Sequence, residues 1–215
     1  MTTKPSVRAQ RKAETRANLI RSARELFSRL GYDNTTLEAV ASHADLHVQT
    51  LYRHFSSKEH LATASESDYL ERFRGAITGP ERQGTTFEFW RDWLTQAVGI
   101  AMRDGGTNYR AYLRSQWEHP KVSGRLIAIH QEMEDLLTQS VASDFAKPNP
   151  TLARLVAIAL FHGQNHVIRQ FYCADDGFDF LAESIAVVDQ VAEQFGYLLP
   201  KPASEVRTTA TEPLS

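Results

Sequence analysis

Apolar residues recur every three or four positions along most of the chain, which is the period of helices with one buried face. The first such stretch begins near Arg11 and carries Leu19, Ile20, Ala23, Leu26, Phe27 and Leu30 on one side. Gly31 closes it as a left-handed C-terminal residue, and residues 1–10 before it read as a flexible basic arm. After the turn Tyr32-Asp33-Asn34, the run Thr35-Thr36-Leu37-Glu38 has the form of a capping box. It opens a short helix, Leu37 to Ala44, with Leu37, Val40 and Ala41 facing inward. Asp45-Leu46-His47 makes a tight turn, Val48 to Phe55 a second short helix, and a serine at Ser56-Ser57-Lys58-Glu59 caps a longer one carrying Leu61.

The remainder is helix after helix. Gly79-Pro80 breaks the first run, Phe87 to Met102 is rich in aromatics and ends at Gly105-Gly106, and Asn108 to Glu118 stops at Pro120. Val122 to Phe145 is long. Thr151 to Tyr172 is apolar on nearly every face, so burial is expected on all sides. Phe178 to Leu199 is the last helix, and residues 200–215, with three prolines and many hydroxyl residues, read as a disordered tail. No strand pattern and no repeat interrupts this, so the predicted fold class is all-α.

Composition sharpens the picture only when the charge is divided. The 215 residues carry a net charge of −2, with 42% hydrophobic and 23% charged residues, as in an ordinary globular protein. Residues 1–60 hold 10 basic against 6 acidic residues, and residues 1–30 hold 8 against 2. The remaining residues hold 14 against 20. A basic head on an acidic body suits a polyanion partner for the head, although a solvated charged helix has the same composition. The longest apolar run, Leu155 to Phe161, is far short of a membrane span, so no membrane partner is expected. The charged N-terminus lacks the apolar core of a secretion signal, and Cys173 has no second cysteine to pair with. Both features point to a cytoplasmic protein.

Two short helices joined by a three-residue turn, with longer helices before and after, form the pattern of a helix-turn-helix, whose second helix lies in the major groove. Leu51 and Phe55, four apart, can anchor that helix to the core. Gln49, Thr50, Arg53 and His54, with Tyr52 partly exposed, are left to face outward. Gln can read adenine edges and Thr can touch a thymine methyl, while the Tyr hydroxyl and the Lys ammonium suit phosphates.

Leu26-Phe27, Gly31-Tyr32, Thr35-Thr36-Leu37, Val40-Ala41, Thr50-Leu51-Tyr52-Arg53-His54-Phe55, Ser57-Lys58-Glu59 and Leu61 agree in order and spacing with one pattern. Over these residues the chain closely resembles the tetracycline-repressor (TetR) family. The resemblance implies a homodimer with a three-helix helix-turn-helix domain, here residues 1–58, and a helical ligand-binding and dimerisation domain, here 59–199. It implies that Thr36, Tyr52 and Lys58 contact phosphates, that His47, Val48, Gln49 and Thr50 face bases, and that His54 lies near the DNA backbone. Two positions depart from the family pattern. Asp45 stands where the turn usually has Gly, and Asp tolerates a left-handed conformation better than most residues. His47 stands where a serine-like cap usually opens the second helix. The expected function is therefore binding of double-stranded operator DNA by a repressor that a small apolar or amphipathic effector releases. The alternative is a helical protein-interaction module with a vestigial helix-turn-helix.

In the body, the aromatic-rich middle suggests a mainly apolar pocket with a few polar contacts. Trp93, Trp117 and Phe161 are the candidate walls, with His130 and Gln164 as polar contacts. Gln164, Asn165 and His166 bring polar groups onto an apolar helix, where they need partners, either across a dimer interface or on a ligand. His162 and His166 have metal-ligand spacing but lack the glutamate of a zinc-enzyme helix, so no metal and no cofactor are expected. No nucleophile elbow or phosphate loop is present, which argues against an enzyme. Leu181, Ile185, Val188, Ala192 and Phe195 form a helical stripe. With the helix before it, this stripe could build a four-helix bundle across a two-fold axis, or could pack within one chain.

Overall fold

Ser6 starts the first helix four residues before its apolar pattern becomes visible. Its side chain accepts the N–H of Ala9 at 3.2 Å, satisfying one of the free amides of the first turn, and α1 runs from Val7 to Leu30. Part of the predicted arm is thus helical; residues 1–5 lie outside the described residues. The computed structural model describes residues 6–103, 106, 109–113, 119–174 and 177–199. Every regular element among them is helical, as the all-α reading requires.

The head follows the predicted plan: α2 is Leu37–His43 and α3 is Val48–His54. The next helix is broken where the sequence suggests one continuous run. α4, Lys58–Ala62, is capped by Ser57, which accepts from His60 N–H at 3.1 Å. It ends at Thr63, whose hydroxyl turns back to the Glu59 carbonyl at 2.9 Å. Such local bonding competes with the helical ladder. α5, Ala64–Ile77, then continues.

α6 is Thr86–Ala101, and residues 109–113 form a further helical segment. α7 is Pro120–Asp144, so Pro120 opens a helix instead of merely ending one. A proline needs no amide partner in a first turn. Pro150 does the same for α8, Pro150–Cys173, where Asn149 accepts the Leu152 N–H at 3.0 Å. α9, Phe180–Phe195, is capped by Asp179 and ends in a single tight turn, Gly196–Leu198. The predicted tail, 200–215, lies outside the described residues.

The described residues fall into two compact units. The first contains residues up to 75 together with 100–133, and the second contains 76–99 together with residues from 134 onward. The helix-turn-helix therefore belongs to the same unit as α4, most of α5 and the first half of α7.

In the second unit, Asp144 ties α7 to the start of α6: Arg82 reaches it at 3.0 Å, and the Thr86 N–H and hydroxyl both donate to it. Glu134 on α7 takes Arg154 at 2.7 Å and His162 at 3.0 Å from α8. α8 and α9 pack tightly, and a Cβ placed on Gly163 would come within 2.5 Å of Val187. One expectation changes here and one alternative is decided. α8 is not buried all round, because Leu155 and Ile158 are 54% and 37% exposed. Its inner face, from Ala153 through Val156, Leu160 and Gln164 to Phe171, is covered by its own chain. Val188, the centre of the stripe that could face a partner or pack within one chain, is 1% exposed and belongs to this intrachain core. A strict 3.6-residue period cannot say which of two neighbours a face will meet.

Candidate nucleic-acid interface

The helix-turn-helix is held from below by a dry core. Leu19, Val40, Leu51 and Phe55 are fully buried, with Ala23, Leu26, Phe27 and Leu61 around them. Full burial of a side chain such as Leu51 is worth about 1.5–3 kcal/mol. Its neighbours in sequence can then be polar and outward. Two polar clamps fix the turns. Thr35, itself buried, donates to the Gly31 carbonyl at 2.8 Å. Asn18 on α1 donates to the Ala44 carbonyl at 2.9 Å, at the end of α2. Sequence reading missed the Asn18 clamp, because a lone Asn in a charged helix looks solvated.

Asp45 has φ of 55°, the left-handed conformation inferred from the resemblance. The Leu46 N–H then returns to the Ala41 carbonyl at 2.9 Å, aiming the chain into α3. Thr36 caps α2 by accepting from the Ala39 N–H at 3.0 Å. His47 occupies the N-cap of α3 without a side-chain cap bond, so its imidazole stays outward.

On α3 the sequence-predicted residues share one outer surface. His47, Gln49, Tyr52 and Arg53 are exposed, while Val48, Thr50 and His54 are half-buried. Tyr52 is 52% exposed, and its hydroxyl lies 3.5 Å from Glu38 on α2. Arg53 reaches the Thr50 hydroxyl at 3.2 Å. Gln49 has no side-chain hydrogen bond among the described residues, so its amide can both donate and accept. His54 is displaced toward α1. Burial lowers its basicity first, and Lys12, Arg53 and Arg16 add to this, so it favours the neutral form.

Lys58 is less free than its sequence position suggests. Its ammonium lies 4.2 Å from the centre of the Tyr32 ring and donates to the Asp33 carbonyl at 3.4 Å. Desolvation lowers its pKa, partly opposed by Asp33 and Glu59. The opposite pull acts on Tyr32, whose pKa is raised by burial and by Glu59. His119, at the start of α7, packs on the same ring at 4.2 Å and meets the Asp33 carboxylate at 3.0 Å. It is thus part of a packed joint with Tyr32 and Asp33.

The candidate effector residues are more dispersed. Trp93, Phe161 and Gln164 lie in the second unit and His130 in the first, while Trp117 lies outside the described residues. Phe161 and Gln164 are buried, and Trp93 stacks with Phe89 at 6.1 Å. Gln164 Oε1 is buried without a hydrogen-bond partner among the described residues. A separate cleft of about 200 Å³ in the second unit, lined by Ile77, Thr78, Arg82, Leu136, Gln139, Ser140 and Ser143, contains none of these candidates. Among the described residues no cluster of three or more His, Cys, Asp or Glu side chains could hold a metal, and no helix is long and apolar enough to cross a membrane.

A short helix anchored by buried leucine and phenylalanine, set after a left-handed turn and presenting amide, hydroxyl, guanidinium and imidazole groups, defines a helix-turn-helix protein with a helical body. Residues 19–64 match the family described as bacterial regulatory proteins, tetR family. Over that stretch, which holds α2, α3 and α4, the chain is similar to the tetR family. It is 30% identical over 145 residues to the HTH-type transcriptional regulator TcmR of Streptomyces glaucescens, covering 65% of this chain and 64% of TcmR. It is 36% identical over 69 residues to the HTH-type transcriptional regulator UidR of Escherichia coli K12, covering 30% of this chain and 35% of UidR. The chain thus spans under two thirds of TcmR and about a third of UidR. The fold is shared with SmeT, the repressor of the Stenotrophomonas maltophilia multidrug efflux pump SmeDEF, at a TM-score of 0.65 and 15% identity, covering 93% of this chain and 97% of SmeT. These relatives are regulators, not enzymes.

Proposed function

We propose that the protein is a homodimeric transcriptional repressor that binds double-stranded operator DNA and is released by a small apolar or amphipathic effector. The observation that carries this reading is the outer face of α3, where His47, Gln49, Tyr52 and Arg53 are exposed above the buried anchors Leu51 and Phe55. In this reading Val48, Gln49 and Thr50 meet base edges together with His47. Thr36, Tyr52, Arg53 and Lys58 meet phosphates, and His54 stays close to the backbone. Lys58 must leave the Tyr32 ring to do so, and the polyanion supplies the attraction.

Dimerisation uses what α8 and α9 leave open. Leu155, Ile158 and Leu181 are exposed large apolar residues, and a second copy would cover them. The two heads would then sit about 34–36 Å apart, the spacing of successive major grooves on one face of DNA. An effector that binds better to another spacing shifts the population away from the DNA-binding form. Gln164 supports a ligand contact in the body, because a ligand donor would satisfy its buried oxygen. SmeT has been solved in complex with triclosan, a precedent for this fold.

The test is titration of the protein against the DNA upstream of its own gene and against scrambled DNA, at several salt concentrations. Selective binding to the upstream DNA is expected, with log affinity falling linearly with log salt. Absence of binding at low salt would reject the reading.

A further inference from the structure

A buried carboxylate lies outside the residues assigned above. Glu66, on α5, accepts a hydrogen bond from the Tyr112 hydroxyl through one oxygen. Its second oxygen is buried and has no partner among the described residues. Tyr112 is itself buried, and its ring face carries the Arg24 guanidinium of α1 at 4.3 Å. Arg24 stops there, and no ion pair joins it to Glu66 among the described residues. Tyr109 is close enough for the Glu66 charge to act on its hydroxyl.

We propose that Glu66 and the face of Tyr112 form a binding site for an amphipathic cation, an amine with an apolar body, which takes the place the chain's own Arg24 now holds. Two observations converge on a cation. An unpaired buried carboxylate oxygen is costly and is best satisfied by an N–H donor carrying positive charge. An aromatic face attracts the same charge, and Arg24 already demonstrates that attraction here. Burial pushes the Glu66 carboxyl up, with Asp68 adding to it and Tyr112, its own backbone amide and Arg24 opposing. A compact ammonium can reach the carboxylate that the Arg24 guanidinium, tethered to α1, does not. Arg24 is half-buried, so displacing it opens the site from solvent.

The consequence for DNA rests on the regulator reading. Arg24 lies two residues before Leu26 and three before Phe27, which anchor α1 in the helix-turn-helix core. An amine that displaces Arg24 removes a contact between α1 and the segment 109–113, and so loosens the head.

The experiment uses the full chain and three matched compounds, phenylbutylammonium, phenylbutanol and phenylbutyrate, titrated by calorimetry. The ammonium should bind most tightly and the carboxylate least. Glu66→Gln, checked for folding by circular dichroism, should weaken the ammonium by about tenfold and leave the alcohol unchanged. Arg24→Ala should tighten the ammonium several-fold, because the internal competitor is gone. Equal binding of the three compounds, an unchanged ammonium affinity in a folded Glu66→Gln, or weaker binding in Arg24→Ala would overturn the site. Operator release is read separately. Ammonium binding by a chain that binds no DNA would support the site and reject the regulator. DNA release by phenylbutanol or phenylbutyrate, with no ammonium preference, would keep the regulator and reject the site.

Discussion

The outer faces of α3 and α8 solve opposite problems with the same helical period. α3 is seven residues long and turns Gln49, Tyr52 and Arg53 outward, while Leu51 and the following Phe55 hold it down. α8 is 24 residues long, buries Ala153, Val156, Leu160 and Phe171 on one side, and still leaves Leu155 and Ile158 open on another. A polar face over a narrow apolar base suits a charged, grooved partner. An apolar face over a wide apolar base suits a second apolar surface. What a helix offers its surroundings is thus decided by the residues left over after its own core is satisfied.

Breaking the base of α3 should give the largest effect. Leu51→Ala removes a fully buried side chain and should cost about 2–5 kcal/mol, with a lower melting temperature and loss of DNA binding. A full-strength operator complex from a Leu51→Ala protein of unchanged melting temperature would show that α3 does not depend on that anchor.

The next comparison lies on α8 and α9. Ile158→Asp places a charge on an exposed apolar face and should give folded monomers. Val188→Asp places one in the intrachain core, where an unpaired charge costs several kcal/mol, about 3–5, and should lower the melting temperature of the chain itself. Sedimentation together with calorimetry separates the two. A stable Ile158→Asp dimer would remove this face from the interface.

On the outer face of α3 and its flank, two contacts should differ in kind. Gln49→Ala should cost about 1–3 kcal/mol at the preferred site and little on scrambled DNA. Lys58→Ala should weaken all sequences alike and reduce the salt slope by about 1 for each phosphate contact removed, or about 2 for a dimer. If Gln49→Ala lost affinity equally on both DNAs, the face of α3 would be rotated from the orientation inferred here.

The smallest effect belongs to the turn. Asp45 sits at φ of 55°, so Asp45→Gly relieves strain and should be neutral or stabilising by up to about 1 kcal/mol. A clear loss of melting temperature would assign a useful bond to the Asp45 carboxylate.

The head was legible because its signals are local. Gly31, the Thr36 cap, the Asp45 turn and the Leu51–Phe55 spacing each act within a few residues, and together they left one surface for the site. Ser6 was missed although its cap is equally local, because the residues after it are polar and show no apolar period. The break at Thr63 was missed because a hydroxyl choosing the Glu59 carbonyl over solvent leaves no mark on the pattern. The candidate effector residues were the least legible. Aromatic residues fill cores and line pockets alike, and their spacing along one helix does not say what stands opposite.

The amino-acid sequence by itself determined the helical class, the order of the elements, the helix-turn-helix and the polar face of α3, since each follows from periods and caps written within a single helix or turn. Only the tertiary structure decided that Val188 is core while Ile158 is surface, that Lys58 rests on Tyr32, and that Glu66 meets Tyr112 across 46 positions of chain. These are pairings between distant segments. Which of several chemically suitable partners a side chain reaches depends on how the helices pack, and no local pattern carries that information.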